Sequence, residues 1–290
     1  MRDQAENLRM KMLKNQGSLG RSIAVVSGKG GVGKSNFTTN FAINLAKLGK
    51  RVVVLDMDIG MGNVHILIGK TAQFSLKDYL AGEVTLKEVM YDGPNNLQYI
   101  SGGSGLSSVM EWSKQMFDLL IQAFEELQKS FDYILFDMGA GAANWSLDLL
   151  TSIDEIIVIS TAEPTSITDA YSMMKYIHMR DQGKAFYLLC NRAYTKEEGQ
   201  ETLDRLKNTM VKFLAKDVTL LGSLPEDPVV RNAVREQVPF SIAYPEAPIS
   251  KTLKVIVNNF IHHDIEEVHA DTNTNTFLSK LRRIFSKGRG

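Results

Sequence analysis

Eight consecutive residues near the start of the chain have the types and order needed to hold the phosphates of a nucleotide. They read Gly-Lys-Gly-Gly-Val-Gly-Lys-Ser. Glycines leave backbone N–H groups free to surround phosphate oxygens, a lysine reaches the β- and γ-phosphates, and a serine hydroxyl ligates Mg²⁺. Lys34 and Ser35 suit the last two roles, whereas Lys29 is a second lysine that phosphate binding does not need. The predicted nucleotide-contacting residues of this segment are Gly28, Lys29, Gly30, Gly31, Val32, Gly33, Lys34, Ser35 and Asn36.

The segments on either side of this loop are those that phosphate binding requires. Ser22 to Ser27 is a short apolar, β-branched run typical of a buried parallel strand. From Lys34 to Leu48 the apolar residues recur at helical spacing. A loop between a strand and a helix places the positive end of the helix dipole against the phosphates. The flanks therefore favour phosphate binding over a glycine-rich turn that binds nothing.

Three carboxylates follow two further strand-like runs. Asp56 and Asp58 come after Arg51 to Leu55, and Asp137 closes Tyr133 to Phe136, as in a Walker B element. Carboxylates two residues apart at a strand end project toward the same face, the face where the phosphate loop lies. Either of the first two can hold Mg²⁺ or its waters, or orient an attacking water; the alternative is a solvated strand end. The predicted metal-binding residues are Ser35, Asp56 and Asp137, and the glycines behind the carboxylates predict mobile switch loops.

Short apolar strands alternate with helical patterns along most of the chain. Beyond those already named, we expect strands at Leu97–Ile100, Glu155–Ser160, Phe186–Cys190 and Val218–Gly222. Helical patterns occupy Gln115–Gln128, Ser166–Met179, Lys196–Leu214 and Ile249–Phe260. This alternation predicts an α/β fold with a doubly wound, mostly parallel sheet that binds its ligands at the carboxyl ends of the strands.

Composition narrows the class of protein. The 290 residues hold 33 basic and 33 acidic side chains, so no overall positive field favours nucleic acid, and we expect none as a partner. A single cysteine, Cys190, excludes an intrachain disulfide and a cysteine-rich metal site. The polar N-terminus has no signal-peptide core, and no apolar run reaches the length of a membrane span. We therefore expect a cytoplasmic protein.

These motifs together resemble the deviant Walker A ATPases of the MinD/ParA class, within the SIMIBI group of P-loop proteins. The resemblance covers about Ile23 to Phe260. It implies Mg²⁺-dependent hydrolysis of ATP to ADP and phosphate by a homodimer that forms when ATP is bound. It also makes Lys29 the signature lysine that contacts the nucleotide of the opposite protomer.

The same resemblance assigns roles to individual residues. Asp58 matches the switch I aspartate that orients the hydrolytic water, so Lys29, Lys34 and Asp58 are the predicted catalytic residues. Asp137 matches the switch II aspartate near Mg²⁺, and Asp56 is assigned only to the surroundings of the ion. The expected contacts to the base come from an adenine-recognising pair and a later loop: Asn191, Arg192, Pro225, Glu226 and Asp227.

The C-terminal end has the pattern of a basic amphipathic helix. Its apolar residues fall on one helical stripe: Phe277, Leu278, Leu281, Ile284 and Phe285. Its basic residues include Lys280, Arg282 and Arg283, and no acid occurs among the last eleven residues. This pattern predicts reversible attachment to anionic membrane lipid on the inner face of the cell membrane. The alternative is a terminal helix docked on the fold, which the lack of acidic partners in the tail disfavours.

The N-terminal heptad Asp3 to Arg9 resembles the activator motif of the flagellar-number regulators of the FlhG (YlxH, FleN) family. That resemblance implies stimulation of the GTPase FlhF through Gln4, and the flagellar switch proteins FliM and FliN or FliY as further partners. We therefore divide the chain into an activator segment and linker (1–17), an ATPase domain (18–265), a polar spacer (266–275) and a membrane-targeting helix (276–290). The alternatives are a MinD-type regulator of the cell-division site and a ParA-type ATPase that positions DNA or cargo.

Overall fold

Apolar, β-branched segments form the strands of a central sheet in the computed structural model. The structure describes residues 19–58, 64–103, 113–139, 144–267 and 277–287, apart from the side chains at 144–145, 263–267 and 284–287. Within these ranges the sheet has eight strands: β1 (Arg21–Val26), β2 (Val52–Met57), β3 (Met90–Asp92), β4 (Gln98–Ile100), β5 (Tyr133–Met138), β6 (Glu155–Ser160), β7 (Ala185–Ala193) and β8 (Thr219–Pro225).

The strand order across the sheet is β3-β4-β2-β5-β1-β6-β7-β8. All pairs are parallel except β3 with β4, which is antiparallel at one edge. The chain leaves β1 in the direction of β2 and later returns to its other side with β6, so the order reverses at β1. A crevice opens at the carboxyl ends of the strands at such a reversal, which is where a ligand binds in an open α/β sheet.

Helices cover both faces of the sheet because successive strand residues project to opposite sides. The helices are α1 (Lys34–Lys47), α2 (Val64–Leu67), α3 (Leu76–Leu80), α4 (Lys114–Ser130), α5 (Asn144–Ser152), α6 (Pro164–Arg180), α7 (Lys196–Leu214), α8 (Val229–Glu236), α9 (Phe240–Ala243), α10 (Pro248–Glu267) and α11 (Phe277–Lys287). Ala24 and Val26 face a core shared with α3 to α7 and α11. Ile23 and Val25 face a second core shared with α1, α2 and α8 to α10.

The predicted fold class is confirmed. Every strand and helix expected from the sequence is present, and the bounds of β6 and α7 are those expected. The short edge strand β3 was not expected, since three residues are too few to show a strand pattern. Helix α10 continues to Glu267, two residues into the segment that we assigned to the spacer.

The C-terminal helix α11 packs against the body of the protein. Phe277, Leu278 and Leu281 are buried, and the Phe277 ring lies 5.3 Å from that of Phe124 on α4 and 6.0 Å from that of Phe136 on β5. The side chains of Ile284 and Phe285 lie outside the described residues. The described part of this helix is thus docked on the fold, the alternative that the sequence pattern disfavoured.

Acidic partners for the tail come from other elements of the fold. Lys280 Nζ lies 3.1 Å from Asp181 Oδ2, just after α6, and Arg282 pairs with Glu125 on α4. The absence of acids within the tail therefore did not exclude docking, because charge pairing is decided by residues distant in sequence. No helix in the described ranges is both long and apolar enough to cross a membrane.

Candidate functional site

The glycine-rich loop joins the carboxyl end of β1 to the start of α1. Gly31 and Gly33 have φ values of 79° and 94°, a region that side chains disfavour. At the start of α1 no side chain caps the helix and no acid lies in the first turn. The N–H groups at this end of α1 are therefore free to bind an anion, and the positive end of the helix dipole favours one there.

Neighbouring elements pack closely on this loop. A Cβ at Gly28 would lie 2.2 Å from the Asp169 backbone of α6, so only glycine fits. Asn191, at the end of β7, donates from Nδ2 to the carbonyl of Val32 at 2.8 Å and would contact a Cβ at Gly33. The loop is thus held between β7 and α6, and its shape depends on both.

Lys34 lies within the loop and is 7% exposed. Its Nζ donates to Ser27 Oγ at 3.0 Å, and that hydroxyl donates to the backbone carbonyl of Lys29 at 2.6 Å. Burial lowers the pKa of Lys34, while the charges of Asp137 and Asp58 oppose this shift. The ammonium group is therefore held at the phosphate end of the site between acidic groups of two other strands.

Asp137 is fully buried at the end of β5 and is the carboxylate best suited to a metal ion. Its Oδ1 accepts a hydrogen bond from Thr38 of α1 at 3.1 Å, and its Oδ2 is buried without a hydrogen-bond partner in the described part of the chain. Burial raises the pKa of Asp137 to about 7, although hydrogen bonds from Ser35 and Thr38 and the charge of Lys34 lower it and Asp56 raises it further.

This environment fits Mg²⁺. The described residues contain no cluster of three or more His, Cys, Asp or Glu side chains that would hold a metal by themselves. Mg²⁺ needs no such cluster, since it commonly binds through one or two protein groups together with phosphates and waters. An unpaired buried carboxylate oxygen near the Ser35 hydroxyl supplies that kind of partial site, so the predicted roles of Ser35 and Asp137 are chemically consistent.

The two carboxylates after β2 have different environments. Asp56 is 1% exposed and accepts backbone N–H groups from both ends of the following loop, Asp58 at 3.1 Å and Val64 at 3.1 Å. Burial raises the pKa of Asp56, and these two hydrogen bonds oppose the shift. Asp58 is half-buried, lies against Gly139 after β5, and contributes to the field on Lys34. Asp56 thus holds the two ends of the loop that follows β2, and Asp58 faces the carboxyl end of β5.

A cavity of about 530 Å³ continues from the loop toward β7 and β8, a volume suited to a nucleoside. Apolar walls come from Phe37, Leu224, Val230, Phe240 and Ile249.

Polar and charged groups of β7 and β8 close the far side of this cavity. Arg192 has a φ of 60° and donates from Nε to Glu226 Oε2 at 2.8 Å. Asn191, Arg192, Pro225 and Glu226 line the cavity, as the resemblance predicts for contacts to a base. Asp227 is buried, and its carboxylate accepts N–H groups at the starts of α8 and α10 instead.

The Lys29 side chain contacts α6 and the residue that precedes it. Its Nζ lies 2.8 Å from Glu163 Oε2 and 3.4 Å from Thr165 Oγ1, at the start of α6. The two lysines of the loop therefore have separate surroundings, Lys34 buried among the strand ends and Lys29 partly exposed at the rim.

Three residues of the site were not expected from the sequence: Ser27, Thr38 and Glu163. Thr38 lies one helical turn after Lys34, on the same face of α1, and donates to Asp137. Since Lys34 and Asp137 were both expected at the phosphate site, this helical spacing could have identified Thr38. Glu163 follows the carboxyl end of β6. The aspartates were identified because they follow strands in the same way, so the same reasoning could have identified Glu163. Gly60, Gly62, Gly141 and the heptad with Gln4 lie outside the described residues.

The chain is similar to known proteins over most of its length. Residues 18–261 match the ParA family model, described as NUBPL iron-transfer P-loop NTPase. The antiactivator FleN of Pseudomonas aeruginosa is 35% identical over 81% of this chain and 84% of its own length. The flagellum site-determining protein YlxH of Helicobacter pylori is 32% identical over 74% of this chain and 73% of its own. The septum site-determining protein MinD of Pyrococcus horikoshii, complexed with Mg-ADP, superposes with a TM-score of 0.67 at 25% identity, covering 83% and 96% of the two chains.

The raised pKa of Asp137 predicts a specific pH dependence of stability in the protein without metal or nucleotide. Since the unfolded carboxyl ionises near its ordinary pKa and the folded one at about 7, folding takes up a proton between these values, and the wild type loses stability as pH rises. Asp137→Asn keeps an acceptor for Thr38 but removes the buried charge. We expect the variant to gain about 3 kcal/mol relative to wild type between pH 5 and pH 8.

Urea denaturation across this pH range, with EDTA present, measures the difference. Asp132→Asn is the contrasting control. Burial alone would raise the pKa of Asp132, but hydrogen bonds and the charge of Arg51 lower it. Asp132 is therefore ionised in both the folded and the unfolded protein between pH 5 and pH 8, so this variant should be less stable than wild type by a constant amount and, because it retains Asp137, should lose stability toward pH 8 as wild type does. Equal pH profiles for Asp137→Asn and wild type would show that the Asp137 carboxyl ionises freely in the folded protein.

Proposed function

Since the chain belongs to the ParA/MinD family of P-loop NTPases, we propose that it is a Mg²⁺-dependent ATPase that dimerises around ATP, binds membrane reversibly and regulates flagellar number and placement. The observation that carries the enzymatic part is that Lys34 lies within the electrostatic reach of Asp58 and Asp137, beside the glycine-rich loop whose Gly31 and Gly33 line the nucleoside-sized cavity. Three strand ends and a helix N-terminus contribute to this arrangement, which has no evident structural purpose apart from binding polyphosphate.

Each group around the cradle has a role that suits phosphoryl transfer to water. The N–H groups of the loop and Lys34 would neutralise charge on the β- and γ-phosphates as the terminal bond breaks. Ser35 and Asp137 would hold Mg²⁺, which would supply positive charge beside the phosphates. Asp58, near Lys34 and Gly139, is placed to orient the attacking water and accept its proton.

Lys29 supports a working unit of two protomers. Its ammonium group contacts α6 rather than its own cradle, so its own nucleotide is not where it acts. A lysine at the rim can reach a phosphate on a protomer facing it, and each nucleotide would then be held by both chains. ATP binding would in this way create the dimer.

Membrane binding requires α11 to leave the body of the protein. Burial of three large apolar side chains stabilises docking by roughly 5 to 9 kcal/mol, and transfer of the same groups into lipid recovers a similar amount. The balance then depends on the basic residues, each contributing about 1 kcal/mol near an anionic surface, against the pairs with Asp181 and Glu125. One tail would bind marginally, and two tails in a dimer more firmly through their effective concentration.

The flagellar assignment rests on similarity. FleN and YlxH are named an antiactivator and a flagellum site-determining protein, and each matches most of this chain. The heptad with Gln4 adds stimulation of FlhF, since a neutral amide can orient a water in a GTPase site. FliM and FliN or FliY would be further partners.

The septum site-determining protein MinD shares the fold and supports the second candidate, a regulator of the division site. A ParA-type role would need a basic surface for DNA, which the overall neutrality of the chain disfavours. Iron transfer would need accessible cysteines, whereas Cys190 is buried, with its thiol pKa raised by burial to about 11.

Separate variants of Lys29 and Asp58 test the nucleotide-bridged dimer. We expect Lys29→Ala to abolish ATP-dependent dimerisation, because the contact across the interface is lost. Asp58→Ala should dimerise normally but hydrolyse ATP about a hundredfold more slowly. Light scattering and phosphate release measure the two effects, with Lys251→Ala, a surface lysine paired with Glu246, as control. Unchanged turnover in Asp58→Ala would disprove the role of that carboxylate.

Sedimentation with vesicles tests the tail. Ile284→Glu combined with Phe285→Glu places two charges on the apolar stripe and should remove ATP-dependent binding to phosphatidylglycerol vesicles while nucleotide binding persists. Val255→Glu, an exposed apolar residue of α10, is the matched control and should bind like wild type. Full retention of the double variant on these vesicles would argue against membrane targeting by this helix.

A GTPase assay with FlhF separates the flagellar role from the division and DNA roles. The full chain and a peptide of residues 1–13 should both accelerate GTP hydrolysis, and Gln4→Ala should lose this effect while retaining its own ATPase activity. Asn7→Ala changes another amide in the same heptad and should retain it. If wild type leaves the FlhF rate unchanged, the protein is a MinD- or ParA-type ATPase without this activity.

A further inference from the structure

Lys29 and Glu163 form an exposed ion pair at the start of α6. Lys29 Nζ lies 2.8 Å from Glu163 Oε2, and the two side chains are 42% and 60% exposed. The pair is therefore accessible to a facing molecule. Thr165 Oγ1, 3.4 Å away, adds a second oxygen from the first turn of α6. Both partners of the ammonium group thus belong to one helix end.

Glu163 is positioned to remain charged whether or not Lys29 contacts it. It is the N-cap residue of α6, but its side chain makes no capping hydrogen bond. The hydrogen bond and charge of Lys29 lower the pKa of Glu163, and Arg192 at the nucleoside cavity lowers it further. The positive end of the α6 dipole favours the same ionised form. A carboxylate in this position can release a lysine without needing a proton.

Release of Lys29 requires movement of its side chain alone. The Lys29 carbonyl accepts from Ser27 Oγ at 2.6 Å, and Ser27 Oγ accepts from Lys34 Nζ at 3.0 Å. This network fixes the backbone at Lys29 relative to the cradle. Rotation of an exposed lysine side chain is fast and costs little beyond its lost contacts.

We propose that Glu163 is a positioning residue that retains Lys29 on its own protomer and so raises the concentration at which ATP-bound protomers pair. The proposal rests on the dimer described under the proposed function. A carboxylate and a polyphosphate repel each other, so the Lys29 ammonium group contacts either Glu163 or the partner's nucleotide. Each protomer must break one such pair before the dimer closes.

The size of the effect follows from the exposure of the pair. An ion pair this accessible changes an equilibrium by about threefold. Two pairs break in each dimer, so their effects multiply to about tenfold in the dimer dissociation constant. When the protein concentration is close to the dissociation constant, a tenfold change in that constant decides whether the protein is mostly monomeric or mostly dimeric.

The test compares dimerisation of the full chain carrying Glu163→Gln with wild type, in saturating Mg²⁺ and a non-hydrolysable ATP analogue. Sedimentation velocity over a range of protein concentrations should show a dissociation constant about tenfold lower in the variant. Glu246→Gln removes the Lys251 pair, another exposed lysine–glutamate contact, and should behave like wild type. The difference between Glu163→Gln and wild type should shrink in 1 M salt, where exposed charges are screened.

The other outcomes are equally informative. A dissociation constant equal to or higher than that of wild type would overturn the proposal, since Glu163 would then be neutral or would itself bind the partner. A difference that persists in 1 M salt would assign the effect to altered packing and overturn it as well. Lys29→Ala distinguishes failure of the proposed dimer from failure of the proposed role of Glu163. If Lys29→Ala dimerises like wild type, the proposal of a nucleotide-bridged dimer is wrong. If it stays monomeric while Glu163→Gln matches wild type, the role of Glu163 alone is wrong.

Discussion

Lys34 and Asp137 are opposite charges kept out of water at the carboxyl ends of adjacent central strands. Burial lowers the pKa of the first and raises that of the second, so each group is held in an environment that disfavours its charged form. Neither shift is fully compensated by protein contacts, since one oxygen of Asp137 has no hydrogen-bond partner in the described part of the chain. A bound polyphosphate and its cation would supply the missing charges.

The order of strands explains why these groups meet. β1 and β5 are neighbours although more than a hundred residues separate them, and Val25 pairs with Asp137 in the register of the sheet. β2 lies on the other side of β5, with Asp56 opposite Asp137. A parallel sheet brings the carboxyl ends of all three strands to one edge. Asp56 then uses both oxygens to secure the loop that follows β2, which leaves Asp58 to face the cradle.

Two parts of the surface have contacts that must break for the proposed cycle to proceed. Lys29 is paired with Glu163 at the start of α6, and the C-terminal helix is packed over α4 and β5 with ion pairs to α4 and the end of α6. Both contacts belong to the single protomer. Dimer formation and membrane attachment would each exchange such internal contacts for external ones.

The sequence by itself determined the class of fold, the position of the phosphate loop and the three aspartates at strand ends, because these depend on local patterns: alternation of strands and helices, glycine spacing, and polar residues after apolar runs. Family resemblance also pointed to Asn191 and Arg192, which line the cavity. Only the tertiary structure decided which oxygens of Asp56 and Asp137 are occupied, that Lys29 contacts Glu163, and that α11 is docked. Those outcomes depend on residues distant in the chain, such as Asp181 and Glu125, which become partners of the tail only when the sheet sets the helices side by side.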